Sequence, residues 1–256
     1  MRRLKEQRYP GPIEIIVVDS GSTDDTVRIA ESFGCRIIRV KPEEFSFGRA
    51  LNIGIKNASG EIIINLSGHS VPENTDYFSL MVQPFGDETV AATFGRDIPW
   101  PEACPSQARD ILNHFPETGP DGNKFSNANA ALRRRVWQAT PFDERLSACE
   151  DVLWARSVMG KGYKIIYVGK ATVFHSHTSS LRYIFSRYFR ERRSMQKLCA
   201  LPDIKMGDVC EKARWEARND FAFAKKNGYH VKWYVHIPFY RLAQEVGLYL
   251  GCRSTD

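Results

Sequence analysis

The chain has 256 residues, with 36 Lys and Arg against 30 Asp and Glu and a formal net charge of +6. That length holds one large α/β domain, or one domain with an appendage, and the ordinary composition excludes a disordered or collagen-like chain. The basic excess suits anionic partners such as nucleoside diphosphates, phospholipid headgroups or nucleic acid, without choosing among them. The six cysteines are scattered with no CxxC pair, which excludes zinc-ribbon and thioredoxin-like sites and fits a reducing compartment. No apolar run is long enough to span a bilayer. The expected location is cytoplasmic, with attachment at the inner face of a membrane left open.

In chain order, a short basic start runs to the breaker Pro10-Gly11-Pro12. Ile13 to Val18 is a nearly continuous apolar run and predicts a buried parallel strand. It ends at Asp19. Ser20-Gly21-Ser22-Thr23 makes a tight turn, and Asp24-Asp25-Thr26 opens a helix that Ser22 or Thr23 can cap. Asp19 then lies at the carboxyl end of a central strand, where open α/β sheets bind ligands. Its carboxylate can accept hydrogen bonds from a base edge or a ribose, or simply close the turn. Cys35 to Val40 reads as a second strand, and Gly48 to Ile55 as a helix ended by Ala58-Ser59-Gly60. Ile62 to Leu66 is the next buried strand and delivers Ser67-Gly68-His69-Ser70 to the same edge as Asp19. This turn has no carboxylate. His69 can ligate an ion such as manganese, hydrogen-bond a phosphate, or serve only the turn.

Glu73 to Phe85 predicts a helix and Val90 to Arg96 a strand. Asp97 to Lys124 reads as a long irregular segment, which in a compact domain is usually functional or mobile. Phe125 to Arg134 is rich in small residues. Its Asn127 and Asn129 can hydrogen-bond hydroxyls, or be polar residues of a half-exposed strand. Glu150-Asp151 opens a helix, where two acids also favour the helix dipole without any function. Tyr163 to Val168 and Ala171 to Phe174 are the last strands and end in His175-Ser176-His177, whose imidazoles share one side of an extended segment. Ser179 to Leu198 is a basic aromatic helix that can lie on an anionic membrane or pack on the core with its arginines solvated. Trp215 to Lys226 is a polar helix. Trp233 to Leu250 is more apolar, with Pro238 as an interruption and with Arg241 and Glu245, so it does not read as a spanning helix.

DSGSTDDT after an apolar strand, FxxGxALNxGI before ASGEIIINLS, the small-residue strand with Asn127 and Asn129, and PFDERL before EDVLWA occur in one order. Together they resemble the family 2 glycosyltransferases, over about Arg3 to Leu198, and within that family the rhamnosyltransferase-like enzymes of surface polysaccharide assembly. The resemblance implies a GT-A-like α/β fold, with a nucleotide-binding, mainly parallel sheet over residues 1–178. It leaves residues 179–256 as a helical extension. It implies an inverting enzyme that uses a nucleoside-diphosphate sugar and a saccharide or lipid-linked acceptor. Asp151 would be the catalytic base, with Glu150 orienting the acceptor. Asp19, Ser20, Gly21, Arg49, Asn52, Ser67, His69, Asn127 and Asn129 would line the donor.

Members of this family commonly hold a divalent cation, Mg or Mn, on an Asp-x-Asp-like motif, which is absent here; His69, His175 and His177 are the candidate ligands in its place. The resemblance also implies a strand and a Pro-Thr-Tyr-Asn-like loop ahead of Ile13. Without them, Ile13 to Val18 is expected to lose a neighbour and the donor pocket a wall. A catalytically impaired relative that only binds nucleotide or partners is therefore the alternative reading. A nucleic-acid-binding role is disfavoured because no RNP, zinc-finger or helix-turn-helix signature appears. A dehydrogenase is disfavoured because GxGxxG follows no strand.

Overall fold

The computed structural model describes residues 1–120, 125–199 and 201–254. In chain order these form α1 (Arg2–Lys5), β1 (Ile16–Asp19), α2 (Thr26–Ser32), β2 (Arg36–Arg39), α3 (Phe47–Asn57), β3 (Ile62–Leu66), β4 (Val71–Pro72), α4 (Tyr77–Val82) and β5 (Val90–Ile98). There follow α5 (Pro105–His114), β6 (Asn129–Arg133), α6 (Arg134–Ala139), α7 (Glu150–Gly160), β7 (Lys164–Phe174), α8 (Leu181–Cys199), α9 (Met206–Lys226) and α10 (Lys232–Arg253). The chain divides into two compact units. The first is Met1–Asp97, Pro116–Leu146 and Glu150–Phe174; the second is Ile98–Phe115, Ser147–Cys149 and His175–Asp256.

The first unit is α/β. Its five-stranded sheet has the order β3-β6-β5-β7-β4, and β1 and β2 form a separate pair. The sheet is mixed rather than mainly parallel: β1–β2 pair in parallel, and β7 runs alongside β5 in the same direction, from Lys164 bonded to Thr89 to His175 bonded to Ile98, while β3–β6, β5–β6 and β4–β7 run antiparallel. The core lies between the sheet and α4, where Tyr77, Phe78, Met81 and Phe85 pack on Val90, Ala131, Ala171 and Val173. Small residues make this possible. A methyl group at Gly95 would stand 2.3 Å from the Ala171 carbonyl oxygen, so β5 can take no side chain there. Arg133, almost wholly buried at the end of β6, donates to the carbonyls of Phe85, Asp87 and Val90 and closes the end of this core.

β1 departs from the expected buried strand. Ile16, Val17 and Val18 are only half-buried and Ile13 is exposed, because β1 has one ladder partner, β2. It is held instead from the side. Glu14 accepts hydrogen bonds from the Ser59 hydroxyl (2.7 Å) and the Gly60 N–H (3.1 Å), and Gly54 of α3 comes close to Val18. α2 begins at Asp25 rather than at a Ser22 or Thr23 cap. α4 covers only part of the expected helix, and β7 is a single strand where two were expected.

The second unit is helical. The segment read as irregular contains α5; its residues 121–124 lie outside the described residues. α5 is tied to α9 and α10 by a buried charge network. The Arg241 guanidinium donates to both oxygens of Asp220 (2.7 and 2.8 Å) and both oxygens of Asp110 (2.8 and 2.9 Å). Arg109 donates to Asp220 as well, at 2.6 Å. Burial works against the charge on Arg241, and the two carboxylates more than offset it, holding its pKa above the ordinary value. α10 runs unbroken through Pro238, which is exposed. α8 packs closely along α10. A methyl group at Gly247 would stand 2.7 Å from the Phe185 carbonyl oxygen, and one at Gly251 2.6 Å from that of Phe189. Among the described residues, no helix is long and apolar enough to cross a membrane.

Candidate functional site

The carboxylate pair stands at the first turn of α7, where the free N–H groups of a helix start favour negative charge. α7 is fixed by Trp154, which is buried, donates its ring N–H to the Thr140 carbonyl (2.7 Å) and packs on Phe125 and Phe142 at 5.6 and 5.5 Å between ring centroids. Asp151 accepts from the Asn127 backbone N–H at 3.3 Å. Asn127 in turn accepts from the Asn65 side chain of β3 at 3.3 Å, so three elements meet at this pair. Glu150 is buried. Loss of water and the adjacent charge of Asp151 push its pKa up to about 7, against the pull of backbone and Asn127 hydrogen bonds. The residue before the pair, Cys149, has φ +65°, the left-handed region that non-glycine residues rarely take.

Asp19 is buried at the end of β1 and accepts from the backbone N–H groups of Gly21 (3.1 Å) and Ser22 (3.2 Å). The Ser22 hydrogen bonds hold its carboxyl below the usual range, with burial opposing. The turn needs Gly21, whose φ is +98°. Both the turn-closing role and the strand-end position were legible; the structure puts Asp19, Ser20 and Gly21 together at that turn. Ser67 and His69 form the turn after β3, with the Ser67 hydroxyl 3.0 Å from His69 Nδ1 and the Ser70 N–H donating back to the Ser67 carbonyl.

Two expected donor residues are otherwise engaged. The Asn52 amide donates to the Phe142 carbonyl and the Glu144 carboxylate and accepts from the Trp137 ring N–H and the Phe142 N–H, so its hydrogen-bonding capacity is filled by protein. Asn129 is fully buried in β6, accepts from the Tyr77 hydroxyl (2.7 Å) and donates to Asp97 (3.2 Å). In this structure both side chains are engaged by protein. Arg49 pairs with Glu44 at 2.8 Å beside the Ser46 cap of α3. The sequence reading missed what Asn52 does: α3 is sewn to the 142–144 loop, and Gly48 lets that loop approach to where a methyl group would meet the Asp143 carbonyl at 2.6 Å. The signal was present, since FGRALN and PFDE are the two halves of that seam.

His175 and His177 belong to the second unit. Their rings lie 4.8 Å apart, edge to face; the His175 N–H donates to the Ile98 carbonyl, and His177 Nδ1 stands 3.0 Å from the Tyr183 hydroxyl. The extended segment thus brings two imidazoles side by side, as the i, i+2 spacing predicts.

Against known proteins, the model for Glycosyl transferase family 2 matches residues 1–121. The chain is 34% identical over 192 residues to the O-antigen chain rhamnosyltransferase WbaN of Salmonella anatum, covering 70% of this chain and 61% of that protein. It is 31% identical over 193 residues to the O-antigen chain rhamnosyltransferase RfbN of Salmonella typhimurium, covering 70% and 62%. The chain therefore spans less than two thirds of these relatives. In fold it is similar to the mannosyltransferase PcManGT of Pyrobaculum calidifontis, solved with GDP-Man and Mn2+, at TM-score 0.60 and 18% identity over 97% of this chain and 79% of that one. It is also similar to the glucosyl-3-phosphoglycerate synthase of Mycobacterium tuberculosis, solved with Mn2+, UDP-Glc and phosphoglyceric acid, at TM-score 0.52 and 20% identity over 73% and 69%. With the ordered motifs and the GT-A-like α/β unit, residues 1–121 thus carry a glycosyl transferase family 2 domain, in a chain similar to O-antigen rhamnosyltransferases.

Proposed function

We propose that this chain moves a sugar, with inversion, from a nucleoside-diphosphate donor to a saccharide or lipid-linked acceptor in surface polysaccharide synthesis. The observation that carries the reading is the Glu150–Asp151 pair at the start of α7, with Asp151 fixed by the Asn127 N–H. Asp151 is the base. It takes the acceptor hydroxyl proton as that oxygen attacks the anomeric carbon, and the donor C–O bond breaks with its electron pair leaving on the diphosphate. Buried Glu150, whose pKa is raised, holds a proton near neutral pH and so can donate a hydrogen bond to the acceptor. The turn at Asp19, Ser20 and Gly21 receives the nucleoside. Arg49, Ser67, His69 and Asn127 serve the diphosphate and the sugar.

A divalent cation fits this chain through imidazole rather than carboxylate. The His175–His177 pair offers adjacent rings, His69 sits in a turn without an acid, and an imidazole set favours a transition ion over magnesium. When bound, such an ion would neutralise the departing diphosphate. The expected place of action is the cytoplasmic face of an anionic membrane, where a lipid-linked acceptor resides.

Asp151→Asn tests the reading: it keeps shape and removes the base. Transfer should fall by roughly 10²–10⁴-fold while donor affinity changes little. Wild-type turnover in that variant rejects the assignment. One observation favours a second reading, a catalytically impaired relative that binds nucleotide without transfer: β1 and β2 share no ladder with the five-stranded sheet. Nucleotide binding with no turnover by the wild-type chain, over a panel of donors and acceptors, would decide for it.

A further inference from the structure

α8, the basic aromatic helix, was the expected membrane-facing element. In the structure its aromatic side chains are half-buried, with Phe185 and Phe189 stacked at 6.1 Å where α10 crosses through Gly247 and Gly251. Exposed apolar residues of the second unit include Leu181 at the start of α8 and Met206 and Trp215 on α9, but most lie on α10 and its cap. On α10 and its first cap, Val231 (69% exposed), Val235 (68%), Phe239 (55%), Leu242 (43%) and Leu250 (41%) stand open to solvent. Their spacing of four, four, three and then eight residues puts them on one helical face, a row about 28 Å long at 1.5 Å per residue. Single exposed apolar residues need no explanation, whereas four of them on successive turns of one face, from Val231 to Leu242, with Leu250 beyond, do.

Charge says what covers this row. α10 exposes no carboxylate, because its one acid, Glu245, is buried. The row is closed at both ends by cations. Lys232 lies 4.9 Å from the centre of the Trp233 ring and Arg253 lies 4.5 Å from that of Tyr249. The sequence of the second unit holds sixteen Lys and Arg against ten Asp and Glu, so the whole net charge of +6 resides there, and the first unit is formally neutral. A second copy docked through the same row would bring +6 against +6, which long-range repulsion opposes. An anionic lipid surface instead accepts the apolar row among its acyl chains and the cations among its headgroups.

We propose that the exposed face of α10, from Val231 to Leu250, is the surface by which this protein lies in the plane of an anionic membrane. This deepens the proposed function, since it gives a lipid-linked acceptor a place to be met, but its test needs neither donor nor turnover. The chain would be sedimented with vesicles of phosphatidylcholine alone, and of phosphatidylcholine with about 30% phosphatidylglycerol. Wild type should bind the anionic vesicles, and phosphatidylcholine about tenfold more weakly. Combining Val235→Glu with Phe239→Glu should lower anionic-vesicle binding by at least about tenfold, since each change removes a buried apolar side chain and adds repulsion. Its melting temperature should stay unchanged, as both positions are exposed. Val235→Ser with Phe239→Ser is the milder variant if the acids disturb folding. Arg190→Glu on exposed α8 should cost much less than either, and Asp151→Asn should bind vesicles as wild type does, whatever its transfer activity. Undiminished binding by both double variants, no binding by wild type, or an equal loss in Arg190→Glu overturns the proposal. So does a wild-type dimer in light scattering that Phe239→Glu converts to monomer, which would give the face to a second copy.

Discussion

Glu150 carries the residue-scale argument. A carboxyl group that loses water and faces a neighbouring charge prefers to keep its proton, and its folded pKa of about 7 stands above the ordinary 4.5. Below about pH 4.5 the group is protonated in both folded and unfolded chains and has no effect on stability. As pH rises through 7 the folded state must give up a proton that it holds more tightly than the unfolded chain does, so stability falls across that window. The penalty reaches about 3 kcal/mol at most. Glu150→Gln should therefore raise the melting temperature at pH 8, with the gain fading toward pH 5. Thermal melts at the two pH values check this, and an identical gain at both would show that Glu150 is not held protonated. A raised pKa of this kind is common where a group faces a reacting centre, because strong burial of an acid is otherwise costly.

Among elements, α5, α9 and α10 depend on one arginine. Arg241 and Asp220 are both buried, and Asp110 is bound to the same guanidinium. Removing the cation leaves two carboxylates facing each other with little water, and breaking such a buried pair costs about 3–5 kcal/mol. Arg241→Met should thus destabilise strongly. Adding Asp110→Leu and Asp220→Leu to it should restore much of the loss, because a fully apolar replacement of a buried ion network is often neutral. Chemical denaturation of the single and triple variants measures both effects; a single variant as stable as wild type would mean that the network is solvated in solution. At the other end of the chain, β1 illustrates the converse case. With a single ladder partner it is held by Glu14 and by α3, and its apolar residues stay half-exposed.

For the whole molecule, charge and chemistry are divided between the two units. The neutral unit holds the Asp19 turn and the Glu150–Asp151 pair, and the helical unit holds the net charge. A ligand that binds only the folded state raises its stability by about 2.7 kcal/mol at a hundred times its dissociation constant, which in a chain of this size raises the melting temperature by about 5–11 °C. Thermal melts with UDP, GDP and dTDP, each with manganese, magnesium or a chelator, should single out one base and show a larger shift with manganese than with magnesium. Shifts of equal size with manganese and with chelator would remove the cation from the proposed chemistry.

Legible in the sequence were the resemblance to family 2 glycosyltransferases, the α/β class, the strand-end position of Asp19 and the helix-start position of the carboxylate pair. These are local properties: a turn needs its glycine, a helix start tolerates acids, and a strand shows its period in a few residues. What only the tertiary structure decided depends on partners far apart in the chain. The resemblance sets Asn52 beside the diphosphate and Asn129 beside the sugar, while in this structure Asn52 bonds to a loop ninety residues away and Asn129 to Tyr77 and Asp97. The apolar run at Ile13 promised burial, and the lack of a second ladder partner withheld it. Pro238 promised a break, and α10 runs through it. Arg241 and Glu245 argued in sequence only against a spanning helix, and the fold buries both. The apolar residues of α8 and α10 are alike in composition, and only the crossing at Gly247 and Gly251 decides which of them face protein and which face water.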